Sequence, residues 1–143
     1  MPYQYLEDVA TADVAFEAWG DTLEEMFVAA ADATMNVMVK DLGSIAAQQK
    51  KTIRVEDDAV DMLLFELLQE LIFYKDAETL LLRVPAVNIE RQNGHLTLHA
   101  EAYGEPLNPE KHELIVDVKA VTLHRFQVER TSRGWEAMVI LDI

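Results

Sequence analysis

A broad apolar stripe in residues 57–76 places the strongest constraint on the fold. The segment reads DDAVDMLLFELLQELIFYKD, and Glu66, Gln69 and Glu70 fall on one side of the helix that it predicts. The apolar residues recur on the other side at helical spacing: Val60, Leu63, Leu64, Leu67, Leu68, Leu71 and Ile72. A stripe of this width is broad enough to cover the face of a β-sheet.

A second helix is predicted earlier, in the segment DTLEEMFVAAADATMNVMV of residues 21–39. Asp21 followed three residues later by Glu24 predicts a variant of the capping box at its start. For the helix in residues 57–76, Asp57 or Asp58 is the predicted N-cap. The methionines of the earlier helix are expected to fill core space rather than bind a ligand: Met26, Met35 and Met38.

The rest of the sequence predicts β-strands, which alternate apolar and polar residues or are rich in β-branched residues. Pro85 indicates a bend or an edge, and Asn93-Gly94 indicates a hairpin turn. The predicted strands are residues 14–19, 50–56, 80–90, 95–104, 115–129 and 135–143, with a loop at 105–114. This order predicts a single α+β domain over residues 1–143, with two helices packed on a largely antiparallel sheet.

Composition limits the class of protein. A chain of 143 residues that is 50% hydrophobic can bury a core, so disorder is not expected. It has no cysteine, which excludes disulfides and cysteine-based zinc sites. No signal peptide is visible and no apolar run reaches the roughly 20 residues that span a bilayer. We therefore expect a cytoplasmic protein without a membrane anchor.

The net charge of −14 argues against direct binding to nucleic acid. Such binding depends largely on cationic side chains that replace the counterions of the phosphates. We expect no tight complex with RNA or DNA, and any such role would run through a partner with a basic surface. Solubility alone explains the charge equally well.

Familiar catalytic motifs are absent from the sequence. It contains no glycine-rich phosphate loop, no H-E-x-x-H, no G-x-S-x-G and no zinc-type spacing of its 4 histidines. Two acids at the ends of predicted strands remain as candidates. Asp13 precedes the first strand in TADVAF, and Asp142 is the penultimate residue in VILDI. An isolated acid at either place is usually a turn or terminal residue.

Three stretches of the sequence resemble the archease family. They are TADVAFEAWGDTLEEMF near the start, YGEPLNPEKHEL followed by VKAVTLH, and the terminal VILDI. They occur in the family's order and extend over essentially the whole chain, including its C-terminal end. The resemblance implies an archease-like fold.

The resemblance also implies a function. Archeases are protein cofactors, not enzymes, that promote guanylation of RtcB-type RNA ligases by GTP and allow multiple turnover in tRNA splicing. Their site binds a divalent cation, with calcium as the expected ion and magnesium or manganese as alternatives. Its ligands are the acid of the T-A-D motif, the penultimate aspartate and the terminal carboxylate. In this sequence those positions are Asp13, Asp142 and Ile143.

One position departs from the family pattern. The commoner motif is H-T-A-D, whereas this chain has Ala10 at the histidine position. The carboxylates are retained, but a histidine beside the ion is not. Asp8 lies nearby in the sequence and is a candidate to compensate.

The implied ligand set is physically consistent. If the last strand pairs beside the first, Asp142 and the carboxylate of Ile143 come close to Asp13. Carboxylates held together repel one another and raise one another's pKa, and a hard cation removes that conflict. Ligands that are all oxygen favour calcium, magnesium or manganese over zinc, and they leave part of the shell to water or a partner.

Two other functions remain open at this point. The carboxylates could activate water in a metal-dependent hydrolase, or the chain could be a chaperone or adaptor without a metal. Lys119 and His112 lie in the family-like segments and are candidates to contact the ligase. They could equally be a solvent-facing strand residue and a loop hydrogen-bonding residue.

Overall fold

The structure is a computed structural model that describes residues 1–7 and 13–143. These residues contain nine strands and two α-helices. The first half contains β1 (Tyr3–Leu6), β2 (Asp13–Gly20), α1 (Leu23–Met38), a 3₁₀ turn (Leu42–Ser44), β3 (Gln49–Asp57) and α2 (Val60–Glu78). The second half contains β4 (Leu80–Arg83), β5 (Val87–Gln92), β6 (His95–Pro106), β7 (Ala120–Val121), β8 (Gln127–Thr131) and β9 (Gly134–Asp142).

The strands of the described residues form two sheets. One has the order β1-β2-β9-β7, with β8 also paired to β9, and the other has the order β3-β6-β4, with β5 also paired to β6. Every pair is antiparallel. The predicted α+β class is confirmed, but the expectation of one sheet is wrong. The strands near the two chain ends pair with one another, and the middle strands pair among themselves.

Both helices join the two sheets. α1 packs on β2 and β9 of the first sheet and on β4 and β5 of the second, while α2 packs on β3, β4 and β6 and also reaches β7. The predicted stripe of α2 is confirmed, because its leucines and Ile72 are buried from Leu63 onwards. The three methionines of α1 are buried as well. The result, among the described residues, is a hydrophobic cluster that contains residues of both sheets and both helices.

The polar side of α2 is less open than the sequence indicates. Gln69 is half-buried, and its Oε1 accepts a hydrogen bond of 3.0 Å from the backbone N–H of Val121 in β7. This side of the helix therefore supports the first sheet. No helix in the described ranges has the length and apolarity needed to cross a bilayer.

The start of α1 differs from the prediction by one residue. Thr22 is the N-cap, and its Oγ1 accepts a hydrogen bond of 3.1 Å from the N–H of Glu25. The Glu25 carboxylate accepts in turn from the N–H of Asp21 at 3.1 Å. Thr22 and Glu25 therefore form a variant of the capping box, and the prediction of Asp21 as the cap is wrong.

The start of α2 also differs. Ala59 is its N-cap and has no side-chain cap bond. Asp57 accepts a hydrogen bond of 3.0 Å from the N–H of Ala59, so it organises the turn before the helix. Neither Asp57 nor Asp58 is the cap.

Turns and connections agree with the sequence in part. Asn93 and Gly94 have φ values of 53° and 78° in the β5–β6 hairpin, as predicted, and the chain leaves the sheet at Pro85. The β-rich segment 115–129 forms only β7 and β8, so that prediction is wrong for most of its residues. The strand β1 was not predicted.

The central strand β6 has no room for a side chain at Gly104. A Cβ there would lie 1.6 Å from the carbonyl oxygen of Leu81 in β4. Replacing Gly104 with Ala must therefore separate β4 from β6. We expect Gly104→Ala to lower the free energy of unfolding by about 1–3 kcal/mol or more, measured by urea denaturation.

Gly43 provides the control for this substitution. Within the part of the chain that the structure describes, a Cβ at Gly43 would meet only the Oδ1 atom of Asp41, at 3.2 Å. Gly43→Ala should thus change the free energy of unfolding by less than about 1 kcal/mol. Equal losses in the two variants would show that the close approach of β4 does not limit residue 104.

Candidate functional site

The pairing of β2 with β9 brings the two predicted acids together. Asp13 is directly opposite Asp142 in the antiparallel register. Directly opposite residues project from the same face of a sheet, with Cβ atoms roughly 4.5–5.5 Å apart. The two carboxylates are therefore neighbours across the strands, and both residues are half-buried.

The face that carries the acid pair is the one turned away from the helices. Phe16 and Val139 are paired, fully buried and part of the core, and alternation along the strands puts Asp13 and Asp142 on the other side. The neighbouring pair on that other side, Ala15 and Ile140, is also buried. The acids therefore adjoin apolar surface, which reduces their access to water.

A third segment reaches the same place. β7 runs along β9 on the side away from β2, with Ala120 opposite Asp142. Just before β7, the N–H of Lys119 donates a hydrogen bond of 2.8 Å to the carbonyl oxygen of Asp142. Lys119 is exposed. The backbone of Lys119, which is predicted from a different motif than the acids, thus contacts the backbone of Asp142.

The charge of this pair is not balanced by the described part of the chain. No ion pair among those residues involves either Asp13 or Asp142. Within the same ranges, no group of three histidine, aspartate or glutamate side chains could hold an ion. The pair therefore offers the carboxylate oxygens of two side chains. Ile143, which follows Asp142 in the sequence, is also half-buried.

This donor set fits a hard divalent cation. Its ligands are oxygen atoms of acids, which suit calcium, magnesium or manganese and do not suit zinc or copper. Two acids directly opposite one another destabilise an antiparallel pair, and a cation between them would remove that cost. Asp8 and Ala10, the other predicted residues near the motif, lie outside the described ranges.

The remaining predicted residue, His112, belongs to a different cluster. Its ring is buried, and Nδ1 accepts a hydrogen bond of 2.9 Å from the N–H of Asn108. Nε2 is therefore the protonated nitrogen, and it donates to Oε2 of Glu105 at 2.9 Å. Both ring nitrogens are used inside the protein, so the ring itself has no free donor or acceptor for a partner.

Glu105 is the centre of that cluster, and the sequence analysis does not identify it. Glu105 is only 4% exposed, and its carboxylate accepts hydrogen bonds from the N–H of Ala46 at 2.7 Å and from Lys111 and His112 at 2.9 Å. These contacts attach the loop after β6 to the connection between α1 and β3. The strict alternation of β6 ends at Glu105, where two buried residues are consecutive, and no local pattern indicates this.

A groove elsewhere on the molecule is separate from the acid pair. It has a volume of about 520 Å³ and is lined by residues that include Trp19, Glu24, Val28 and Pro85. Trp19 is at the opposite end of β2 from Asp13, roughly 20 Å away at about 3.3 Å per residue. The groove is therefore not a substrate pocket for the acids.

Comparison with known sequences gives a consistent result. The Archease protein family (MTH1598/TM1083) matches residues 3–143. The chain is 40% identical over 134 residues to the protein archease of Pyrococcus furiosus, which covers 93% of this chain and 94% of that relative. It is 33% identical over 142 residues to the protein archease of Methanosarcina acetivorans, with 99% and 95% covered.

Solved structures show the same fold. The solution structure of Methanobacterium thermoautotrophicum protein 1598 has a TM-score of 0.85, with 32% identity and 99% of both chains covered. The crystal structure of an archease from Thermotoga maritima, described as a possible chaperone, has a TM-score of 0.55 and covers 94% of this chain and 93% of that one. At 19% identity, this second likeness concerns the fold alone.

The Glu105 cluster predicts how stability depends on pH. The backbone hydrogen bond from Ala46, then those from Lys111 and His112, lower the pKa of Glu105 from 4.5 to about 2. A lowered pKa in the folded state means that the cluster stabilises the fold above about pH 4.5 and that this contribution is lost as the pH falls towards 2. Glu105→Gln should be destabilised at pH 7 and should lose less stability than wild type between pH 5 and 2.

Urea denaturation at several pH values measures this difference. Glu101→Gln is a suitable control, because Glu101 is on the same strand but is exposed. Parallel pH profiles for wild type and Glu105→Gln would contradict the assignment of the acid-sensitive contribution to Glu105.

Proposed function

The chain belongs to the archease family, and on that premise we propose that it is a non-enzymatic protein cofactor of an RtcB-type RNA ligase. It would act in the cytoplasm, where it promotes guanylation of the ligase by GTP and allows multiple turnover in tRNA splicing. The observation that carries the proposal is the direct opposition of Asp13 and Asp142 across β2 and β9. Two family-like motifs from opposite ends of the sequence meet there.

We further propose that this pair, with the α-carboxylate of Ile143, holds a divalent cation. Calcium is the expected ion, because it accepts about 6–8 oxygen ligands in irregular geometry, and magnesium or manganese are the alternatives. When bound, the cation would offer positive charge and open coordination positions to phosphate oxygens. Three carboxylates do not fill such a shell, so water or groups of the ligase would complete it.

Lys119 is the residue that we propose to contact the ligase beside the cation. Its backbone is fixed to Asp142 while its side chain is exposed, so its ammonium group is available to a partner. His112 has no such freedom, and any contribution of its loop to binding would come from other atoms. The net charge of −14 favours docking on a basic surface and disfavours a tight complex with RNA alone.

A hydrolase receives less support from this arrangement. Water activation needs a general base and groups that bind the substrate, and the described residues place no third acid or histidine with the pair. A metal-independent chaperone or adaptor predicts binding to the ligase that is unaffected by calcium. Guanylation of purified ligase, measured with and without calcium, distinguishes this alternative from the proposed function.

Removal of one acid tests the cation site. We expect Asp13→Asn to lower calcium affinity on the order of 10-fold or more, since affinity depends strongly on the number of charged ligands. Stimulation of ligase guanylation should be lost in parallel. Folding should be retained, because the substitution removes a repulsion between opposite acids. Calorimetry with calcium and a guanylation assay measure the two effects.

Glu17→Gln is the matched control. Glu17 lies on the same strand and face as Asp13 but is opposite Met138. The substitution removes the same charge without touching the pair, and it should leave calcium affinity and stimulation near the wild-type values. If Asp13→Asn stimulates the ligase as wild type does, the acid pair has no part in the function.

Extension of the C-terminus tests the third ligand. A short Gly-Ser extension turns the carboxylate of Ile143 into an amide carbonyl, which removes one negative charge and leaves one weaker oxygen ligand. Calcium affinity and ligase stimulation should both fall. Ile143→Val keeps the carboxylate and should bind calcium nearly as wild type does. An extended protein that matches wild type in both assays would exclude the terminal carboxylate as a ligand.

A further inference from the structure

A buried lysine lies close to the carboxylate site without being part of it. Lys75 is in the last turn of α2 and is only 7% exposed. Its Nζ donates hydrogen bonds to Oδ1 of Asp76 and Oδ1 of Asp117, both at 2.5 Å, and to the carbonyl oxygen of Val118 at 2.8 Å. An ammonium group has three protons, and three acceptors use them all.

The contact with Val118 reaches Asp142 through a single peptide group. The carbonyl oxygen of the Val118–Lys119 peptide accepts from Lys75, and the N–H of the same peptide donates to the carbonyl oxygen of Asp142 at 2.8 Å. This rigid planar unit is therefore held at both ends, by a charge on α2 and by the strand that carries the site acid. The side chain of Val118 is fully buried, which fixes the unit further.

The lysine is charged in this environment. Burial acts to lower the pKa of Lys75, but the hydrogen bonds with Asp117 and Asp76 outweigh it, and the pKa is raised above its ordinary value. A charged donor on the carbonyl oxygen makes a strong hydrogen bond and polarises the peptide, which strengthens its N–H as a donor to Asp142.

We propose that Lys75 is a positioning residue for the carboxylate site: through the Val118–Lys119 peptide it holds β7 against β9 and fixes the backbone of Asp142. We call this chain of hydrogen bonds, from Lys75 through the Val118–Lys119 peptide to Asp142, the clamp. It also fixes the backbone position of Lys119. The inference rests on the proposed function insofar as the site binds a cation, but the clamp itself does not depend on that function.

The two aspartates that share the ammonium group allow a matched comparison. Asp76 and Asp117 accept at the same distance, and their side chains are 55% and 66% exposed. Asp76 belongs to α2 itself, whereas Asp117 belongs to the segment that leads into β7. Loss of Asp117 should therefore loosen the clamp, while loss of Asp76 should not.

Residue-resolved hydrogen exchange by NMR, without metal or ligase, tests the clamp directly. In Lys75→Met, exchange of the Lys119 amide should become faster on the order of 10-fold, while the amides of β6 keep their rates. Asp117→Asn should show a smaller change in the same direction, and Asp76→Asn should resemble wild type. If Lys75→Met does not fold, the comparison of the two aspartate variants decides.

Calcium calorimetry on the same variants tests the effect on the site. Affinity should fall several-fold in Lys75→Met and Asp117→Asn and remain unchanged in Asp76→Asn. Unchanged exchange at Lys119 would overturn the inference, and so would faster exchange with unchanged calcium affinity. If wild type itself binds no calcium, the proposed cation site fails independently, and the exchange rates alone decide whether the clamp exists.

Discussion

The register between β2 and β9 is the constraint on which the rest of the structure depends. These strands come from near the two ends of the sequence and pair over eight residues in the middle of the first sheet. In this register, Phe16 and Val139 project towards the helices. The same alternation puts Asp13 and Asp142 together on the other face of the sheet. A slip of one residue would reverse both faces of the strand. The register of β2 and β9 therefore fixes both the packing of the core and the geometry of the acid pair.

The register also contains one unfavourable pair, Asp13 opposite Asp142. Acids directly opposite one another repel, and the surrounding ladder must hold them in place. A buried apolar pair contributes to this here, because Ala15 and Ile140 adjoin the acids on the same face. Local departures from stable packing of this kind are expected at functional sites. This unfavourable pairing supports the proposal that the two acids serve binding rather than stability.

Local patterns in the sequence predict local structure well. The stripe of α2, the Asn93-Gly94 turn and the alternation of β6 are visible in consecutive residues, and the structure confirms each of them. The two-sheet arrangement depends on pairing between distant strands, which no local pattern encodes. The start of α1 was misplaced because Asp21 and Thr22 are both good caps, and the position of Glu25 decides between them.

The candidate site was predictable only in part. The ligand roles of Asp13 and Asp142 came from a family resemblance, and their direct opposition required the strand register. Lys75 falls on the buried side of α2, four residues after Leu71, so the helical period places it in the core. The sequence does not indicate what satisfies its charge, because Asp117 is 42 residues away and follows an irregular segment.

A cation between the chain ends would be linked to folding, since the unfolded chain does not hold the two acids together. At a free concentration of 100 times the dissociation constant, binding to the folded state alone adds about 2.7 kcal/mol of stability. Yet the register does not depend on the ion: only one of its eight pairs is the acid pair, and the others include buried apolar residues. The Lys75 contact also holds β7 in place without an ion. A site that stays formed when its cation leaves suits a protein that shares or exchanges the ion with a partner, and this is the behaviour expected of a ligase cofactor.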